Sequence, residues 1–296
     1  CAHHGRTPPC VDALLAAGVS RVVVALHDPD LQVQGRGVAA LRAAGVTVDV
    51  GPGARAARRL LAPYLHHRRT GRAYALLKTA VSLDGRVAAA DGTSRWITGA
   101  EARADAHRLR AESQAVVIGA GTALADRPAL TVRGREVPTE RQPLRVVLDA
   151  RGRVPAEGDL FDVSLAPTLV VTTEQAAPAA VDAWRAAGAK VETVEPGTDG
   201  SGVDLRATLE LLGANGVVQA MIEGGPRVHA AFVGAGLADE LVVYVGATLL
   251  GDRGVPSMAF PGPATISGAN RFTLVDVAQV GADARLDLVA PGGGES

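Results

Sequence analysis

Cysteine is almost absent from this 296-residue chain, which holds only Cys1 and Cys10. Two thiols exclude a disulfide-stapled secreted domain and fit a reducing cytoplasm. No apolar run approaches the roughly 18 residues that span a bilayer. The polar, histidine-rich first residues give no expectation of a secretory signal. A formal net charge of -1 removes the basic surface that nucleic acid or an anionic membrane would require. Lysine is scarce beside arginine, a bias of base composition from which no function follows. An initiator methionine is also missing, so a segment upstream of Cys1 is expected. What remains is the composition of a soluble globular protein, 47% apolar and 21% charged, at a length that favours two domains.

Helix and strand signals alternate throughout. Pro8-Pro9 precedes Cys10 as prolines precede a first helical turn, and that helix should stop at Gly18. The apolar run Arg21 to Leu26 reads as a buried strand, Gly35 to Ala44 as a helix, Val46 to Val50 as a strand and Ala54 to His66 as a helix. Thr70-Gly71-Arg72 breaks the pattern and marks a domain boundary. Beyond it, strands are predicted at Tyr74–Ser82, Ala115–Gly119, Leu144–Asp149, Thr168–Thr172, Val217–Glu223 and Glu240–Val245. Helices are predicted at Gly99–Glu112, Ala177–Ala187, Asp204–Gly213 and Pro226–Gly234. The alternation implies an α/β fold with a mainly parallel sheet, whose ligands bind beyond the carboxyl ends of the strands.

Five segments carry candidate chemistry. Cys1-Ala-His-His-Gly-Arg-Thr-Pro-Pro-Cys10 places two thiols on a loop that runs into a helix start, where thiolates and zinc are both favoured. By spacing alone, two ordinary cysteines are the simpler reading. In Lys78-Thr-Ala-Val-Ser-Leu-Asp-Gly-Arg86, Asp84-Gly85 is sufficiently explained as a turn, but Lys78 inside an apolar strand needs a partner or a task. Asp91-Gly-Thr-Ser-Arg-Trp-Ile-Thr-Gly99 leads into a helix that Thr98 can cap, and core packing is the commoner fate of a residue such as Trp96. Gly119-x-Gly121 follows a strand as a glycine turn. Glu223-Gly-Gly-Pro226 joins a strand to a helix, either as a tight connection or as an anion site at the helix N-terminus.

Taken whole, the first string resembles the zinc loop of the riboflavin-pathway pyrimidine deaminases, members of the cytidine-deaminase-like family. The resemblance implies Cys1 and Cys10 as two of three zinc ligands, with a His-x-Glu element supplying the third and the general acid/base. None of the seven histidines begins a His-x-Glu, so zinc binding here would be incomplete and deamination is not expected of this chain. With the preceding strands of its sheet lacking, the edge at Arg21 to Leu26 is expected to be exposed.

The later strings, Lys-x-x-x-Ser-Leu-Asp-Gly-Arg, Ser-Arg-Trp-Ile-Thr-Gly, Gly-x-Gly-Thr-x-Leu-Ala-Asp and Glu-Gly-Gly, together with Leu237-Ala-Asp-Glu-Leu241, resemble the riboflavin-pathway reductase in order and spacing. The chain is thus similar to the bifunctional deaminase–reductases. Residues 1–71 would be part of the deaminase and residues 72–296 a reductase of dihydrofolate-reductase-like fold, acting as a homodimer. The family implies NADPH near Ala80, Trp96, Thr122, Asp126, Gly224, Gly225, Pro226 and Arg227. It implies a phosphorylated ribosylaminopyrimidine against Ser94, Arg110, Arg133 and Glu223, with Arg110 and Arg133 suited to the phosphate. Lys78, Asp126 and Glu223 are candidates for proton handling. A different reductase of the same fold is disfavoured by the zinc-loop string. A complete bifunctional enzyme, if residues upstream exist, and a non-catalytic nucleotide-binding fragment are the other readings.

Overall fold

The computed structural model describes residues 8–30, 33–133, 142–198 and 200–291, and the chain divides into two compact units between Gly71 and Arg72. The first unit contains α1 (Cys10–Ala16), β1 (Arg21–Val24), α2 (Arg36–Ala43), β2 (Thr47–Val50), α3 (Ala54–Leu60) and α4 (Ala62–Thr70). Its two strands pair in parallel, and Val11, Leu41, Val46 and Val48 form its core. Among the described residues β1 pairs with β2 alone, leaving Val23 exposed. The helix expected over 54–66 is two helices. Pro63 has no N–H and its ring opposes the carbonyl one turn back, so the chain leaves helical geometry at Leu61 and starts again with Pro63 in the new first turn.

The second unit is one nine-stranded sheet between helices. Its elements in order are β3 (Tyr74–Ser82), β4 (Arg86–Ala88), α5 (Ala100–Glu112), β5 (Ala115–Gly119), α6 (Ala120–Asp126), β6 (Leu144–Leu148), β7 (Thr168–Thr172), α7 (Pro178–Ala186), β8 (Lys190–Thr193), α8 (Leu205–Ala214), β9 (Gln219–Ile222), α9 (Pro226–Gly234), β10 (Glu240–Gly246), β11 (Val255–Pro256), β12 (Thr273–Val280) and β13 (Asp283–Val289). The strand order is β12-β13-β10-β3-β9-β5-β6-β7-β8, parallel from β10 to β8, with β13 antiparallel to its neighbours. β4 and β11 pair separately.

Successive residues of the parallel strands face opposite layers. Leu77, Val117 and Val146 pack with Leu209, Leu212 and Phe232 of α8 and α9, while Val116, Ile118 and Val147 pack with Trp184 of α7. Burial on both faces is why these strands read as unbroken apolar runs. Arg145 on β6 is fully buried. Its guanidinium donates to the carbonyls of Ala129, Asp159, Asp162 and Ala166, sewing two loops to the start of β6 inside the sheet. The strand order turns back at β3: the chain builds outward through β5 to β8, then returns to lay β9 and β10 on either side of β3. Such a reversal opens a crevice beyond the carboxyl ends of the central strands. Among the described residues, no helix is long and apolar enough to cross a membrane.

Five strands of this unit and one helix were not apparent in the hydrophobic pattern, the short pair β4 and β11 among them. β8 and β12 are edge strands with half-exposed, mixed faces, β13 beside β12 carries Asp283, Arg285 and Asp287 among its apolar residues, and α6 replaces the expected glycine turn, with Gly121 inside it. Thr98 does not cap α5. The N-cap is Gly99, whose N–H donates to Asp283 Oδ2 at 2.6 Å, while the Thr98 carbonyl accepts from Arg103. The Ser82–Arg86 motif is a turn in which Ser82 Oγ accepts from the Arg86 N–H at 2.9 Å. Ser82 Oγ donates to Asp84, which also accepts from the N–H groups of Leu250 and Gly251 and is held down to about 2 by these bonds.

Asp239, just before β10, accepts from Ala75 N–H at 2.8 Å, and burial pushes its carboxyl up to about 6. A carboxyl raised above its ordinary 3.8 favours the folded state below that value. The contribution is lost as pH rises through about 6, a difference on the order of 3 kcal/mol. Asp239→Asn keeps the acceptor without the charge. Its melting temperature should therefore exceed wild type by more at pH 7.5 than at pH 4.5, and thermal unfolding at both values measures this. An equal difference at both would show that Asp239 is not the titrating group.

Candidate active site

At the carboxyl ends of β3, β9 and β10 lies an open cleft of about 500 Å³, roofed by α5 and the loop before it. It is lined by Lys78 and Ala80 of β3, Glu223 just after β9 and Tyr244 of β10. Trp96, Arg103, His107 and Arg110 complete it with Arg133, which lies after α6. Residues 103, 107 and 110 follow the four-three spacing of one helix face, so α5 presents all three cations or would-be cations to the same space.

Arg110 and Glu223 form the floor. Arg110 Nε and Nη2 each donate to one carboxylate oxygen of Glu223, at 2.9 and 2.8 Å, and Nη1 donates to the Thr131 carbonyl at 2.7 Å. Both side chains are about 15% exposed. Burial by itself would raise the Glu223 carboxyl, but the charges of Arg110 and Lys78 outweigh it and the group stays ionised. This geometry corrects one expectation. The paired-donor edge of Arg110 is turned to Glu223, so it is not open as a phosphate fork, and of the two arginines Arg133 has its guanidinium at the exposed mouth.

α5 is seated on the sheet by a second polar cluster. Tyr244 Oη donates to Asp105 Oδ2 at 2.6 Å, and Arg285 Nη1 donates to the same oxygen at 2.7 Å while Nε and Nη2 hold Asp287. The far side of the Tyr244 ring meets Lys78 Nζ, 6.0 Å from its centre. Lys78 therefore has an aromatic neighbour and a carboxylate field, which answers why a lysine sits in an apolar strand.

Trp96 does not enter the core. It is 67% exposed and stacks beneath Arg103, whose guanidinium carbon is 4.2 Å from the ring centre. The loop carrying Trp96 lies directly on β10: a Cβ at Gly246 would collide with the Ile97 carbonyl, so glycine is required there. Ser94 is exposed on that loop and Asp126 is exposed at the end of α6, and neither lines the cleft.

Beside the cleft, the starts of α6 and α9 lie together at the ends of β5 and β9. A Cβ at Gly119 or Gly224 would press into Val228 at about 2.6 Å, and one at Gly225 would come within 3.2 Å of Thr122 Oγ1. These glycines allow the two helix starts to approach closely, which brings Thr122 to the Gly224–Arg227 turn. Gly225 is the N-cap of α9 and offers no side-chain cap. The backbone donors of a nine-residue helix are left to a ligand or to water.

Cys1, His3 and His4 lie outside the described residues. Cys10 is exposed at the start of α1, and among the described residues no group of three or more His, Cys, Asp or Glu could hold a metal. His107, Arg103 and Tyr244 are cleft residues that the sequence reading did not single out. The α5 spacing was visible; its orientation was not.

Comparison with known proteins follows the same division. Residues 73–286 match the RibD C-terminal domain family. The riboflavin biosynthesis protein RibD of Chlamydia muridarum is 44% identical over 262 residues, 87% of this chain and 69% of that protein. The Escherichia coli protein of the same name is 38% identical over 98% of this chain and 79% of its own length. Among solved structures, Acinetobacter baumannii RibD superposes with a TM-score of 0.83 at 37% identity, covering 98% of this chain and 78% of that one. A Thermotoga maritima protein described as a diaminohydroxyphosphoribosylaminopyrimidine deaminase/5-amino-6-(5-phosphoribosylamino)uracil reductase gives 0.80 at 27% identity over 98% of this chain and 77% of its own.

The buried fork at the cleft floor has a measurable signature. Arg110→Ala removes the hydrogen-bonded partner of Glu223 and leaves only the more distant charge of Lys78, which should cost about 3 kcal/mol of stability. Arg110→Ala combined with Glu223→Ala should cost much less than the sum of the single changes. Denaturant unfolding of the four proteins gives the coupling directly, and strict additivity would mean that the pair stabilises nothing.

Proposed function

The chain belongs to the RibD family of riboflavin biosynthesis proteins, its second unit being the dihydrofolate-reductase-like reductase domain, and on that premise we propose that it reduces 5-amino-6-(5-phosphoribosylamino)uracil to the ribitylamino product with NADPH. We read residues 1–71 as belonging to the deaminase side of the family, with Cys1 and Cys10 as two of the three ligands of an incomplete zinc site from which no deamination is expected, and residues 72–296 as the reductase, working as a homodimer. The observation that carries the reading is the charge of the cleft. Lys78, Arg103, Arg110 and Arg133 surround a single carboxylate, Glu223, which leaves net positive charge for a phosphorylated substrate.

The turn at Gly224–Arg227 and Thr122 fit a dinucleotide phosphate. Two closely apposed helix starts and an uncapped N-terminus offer backbone donors to an anion, and Ala80 and Trp96 continue that surface into the cleft. NADPH, when held there, supplies the hydride. Asp126, exposed on α6, suits the edge of the cofactor better than proton transfer.

Within the cleft, Arg133 takes the phosphate end of the substrate and Glu223 accepts from its hydroxyl or amide groups. Ser94, exposed on the loop before α5, is assigned to the substrate by family likeness only. Reduction at C1 of the opened sugar requires a proton at the nitrogen or oxygen to which C1 was doubly bonded. Glu223, kept ionised by its guanidinium partner, stabilises charge and does not donate. Lys78, between the Tyr244 ring and the Glu223 field, is the donor.

An anaerobic assay with the deaminated pyrimidine phosphate should show substrate-dependent loss of the nicotinamide absorbance of NADPH. Lys78→Ala should lower kcat by about a hundredfold or more with a smaller change in KM. A folded chain that oxidises no NADPH in the presence of substrate would remove the assignment. Full activity in Lys78→Ala would remove Lys78 from the chemistry.

A further inference from the structure

The segment Thr131–Arg133 approaches the cleft without belonging to any strand or helix. It follows two left-handed residues, Arg127 (φ 42°) and Leu130 (φ 52°), and its only apolar anchor is the buried Val132. Each successive backbone group is instead held by a side chain. The Thr131 carbonyl accepts from Arg110 Nη1 at 2.7 Å. The Val132 N–H donates to Gln142 Oε1 at 2.7 Å, and the Val132 carbonyl accepts from Gln142 Nε2 at 3.4 Å. The Arg133 N–H donates to His107 Nδ1 at 3.4 Å. The last bond is the one nearest the cleft mouth, and it comes from the residue one helical turn before Arg110 on the same face of α5.

We propose that His107 is a positioning residue: its Nδ1 fixes the backbone of Arg133, and through it the guanidinium that receives the anionic end of a phosphosugar. The inference rests on the reading of the cleft as the site of a phosphorylated substrate. Nδ1 can accept only while it carries no proton, so the required tautomer has hydrogen on Nε2. The surroundings keep the ring neutral. Burial lowers the imidazole below its ordinary range. Arg110 on its own helix, Arg133 on the following segment and Lys78 on β3 lower it further, against the opposing Glu223 after β9. A neutral ring also avoids adding another cation beside three, which keeps Arg133 from being repelled by its own support. Arg133 Nε is bonded within its own segment to Thr131 Oγ1 at 3.2 Å, which leaves the Nη groups toward the open cleft.

Asparagine and glutamine separate this role from mere volume. The Asn amide oxygen falls near the Nδ1 position and can accept from Arg133, whereas the Gln amide falls near Nε2 and cannot. Calorimetric titration of the full chain with ribose 5-phosphate reads the site without turnover. His107→Ala should weaken binding by about tenfold, the loss of one hydrogen-bonded support. His107→Asn should return to within about threefold of wild type, and His107→Gln should stay with Ala. In the reductase assay the same series should raise KM with kcat nearly unchanged.

Equal weakening by Asn and Gln, or no weakening by Ala, would overturn the proposal, as would failure of every protein to bind ribose 5-phosphate. Wild-type turnover with an unmoved KM across the series would also overturn it and leave the reductase reading standing. No wild-type turnover, with ribose 5-phosphate affinity still lost in Ala and recovered in Asn, would retain the role of His107 and remove the reductase reading.

Discussion

The paired contact between Arg110 and Glu223 ties the helix above the cleft to the strand below it. α5 and β9 are distant in sequence, and their meeting point lies at the open end of a parallel sheet, where no β-ladder can hold the polar groups. A buried carboxylate without a partner would be costly, and a buried guanidinium equally so. Their two-point pairing, with Thr131 taking a third donor, satisfies both groups at that end of the sheet. Once the pair is fixed, the face of α5 is fixed, and with it the directions of Arg103 and His107.

A second cluster makes the seating of α5 unique. Asp105 receives Tyr244, Arg285 and Arg108 at once, so the outward side of the same helix is locked to β10 and β13 by charge-assisted bonds. The helix therefore has polar contacts on two sides and little apolar surface, Ala102 and Leu109 being its buried residues. That explains why its sequence lacks the strong apolar stripe of α7 or α8. Its position is dictated by ion pairs, and ion pairs also leave the cleft with more positive than negative charge, the property that an anionic substrate needs.

The legibility of the chain in its sequence follows the same physics. The strands β3, β5, β6, β7, β9 and β10 were readable because burial on both faces demands continuous runs of Val, Leu, Ile and Ala. β8, β12 and β13 were not, since an edge strand or a strand carrying Asp283, Arg285 and Asp287 shows neither a run nor clean alternation. The break at Leu61 had a local signal in Pro63. The cap of α5 had none, because Asp283 arrives from nearly two hundred residues away. The glycines at 119 and 224 were visible as motif positions, but their reason, the seat of Val228 between two helix starts, is tertiary.

By itself the sequence determined the α/β architecture and the family to which the reductase strings point, and it offered Gly71 as the division and Lys78, Glu223, Arg110 and Arg133 as candidates for one site. The architecture follows from periodicity, whereas the family and the site candidates follow from the resemblance of the strings, Lys78 alone being marked by its cost of burial. Tertiary structure alone decided how those residues divide the work. It turned the fork of Arg110 onto Glu223, left Arg133 at the mouth, exposed Trp96 under Arg103, kept Asp126 and Ser94 off the cleft wall and brought in His107. Chain spacing can place charged groups on a common helix face or strand end. Which of them neutralise one another depends on distances across the sheet that only the folded chain sets.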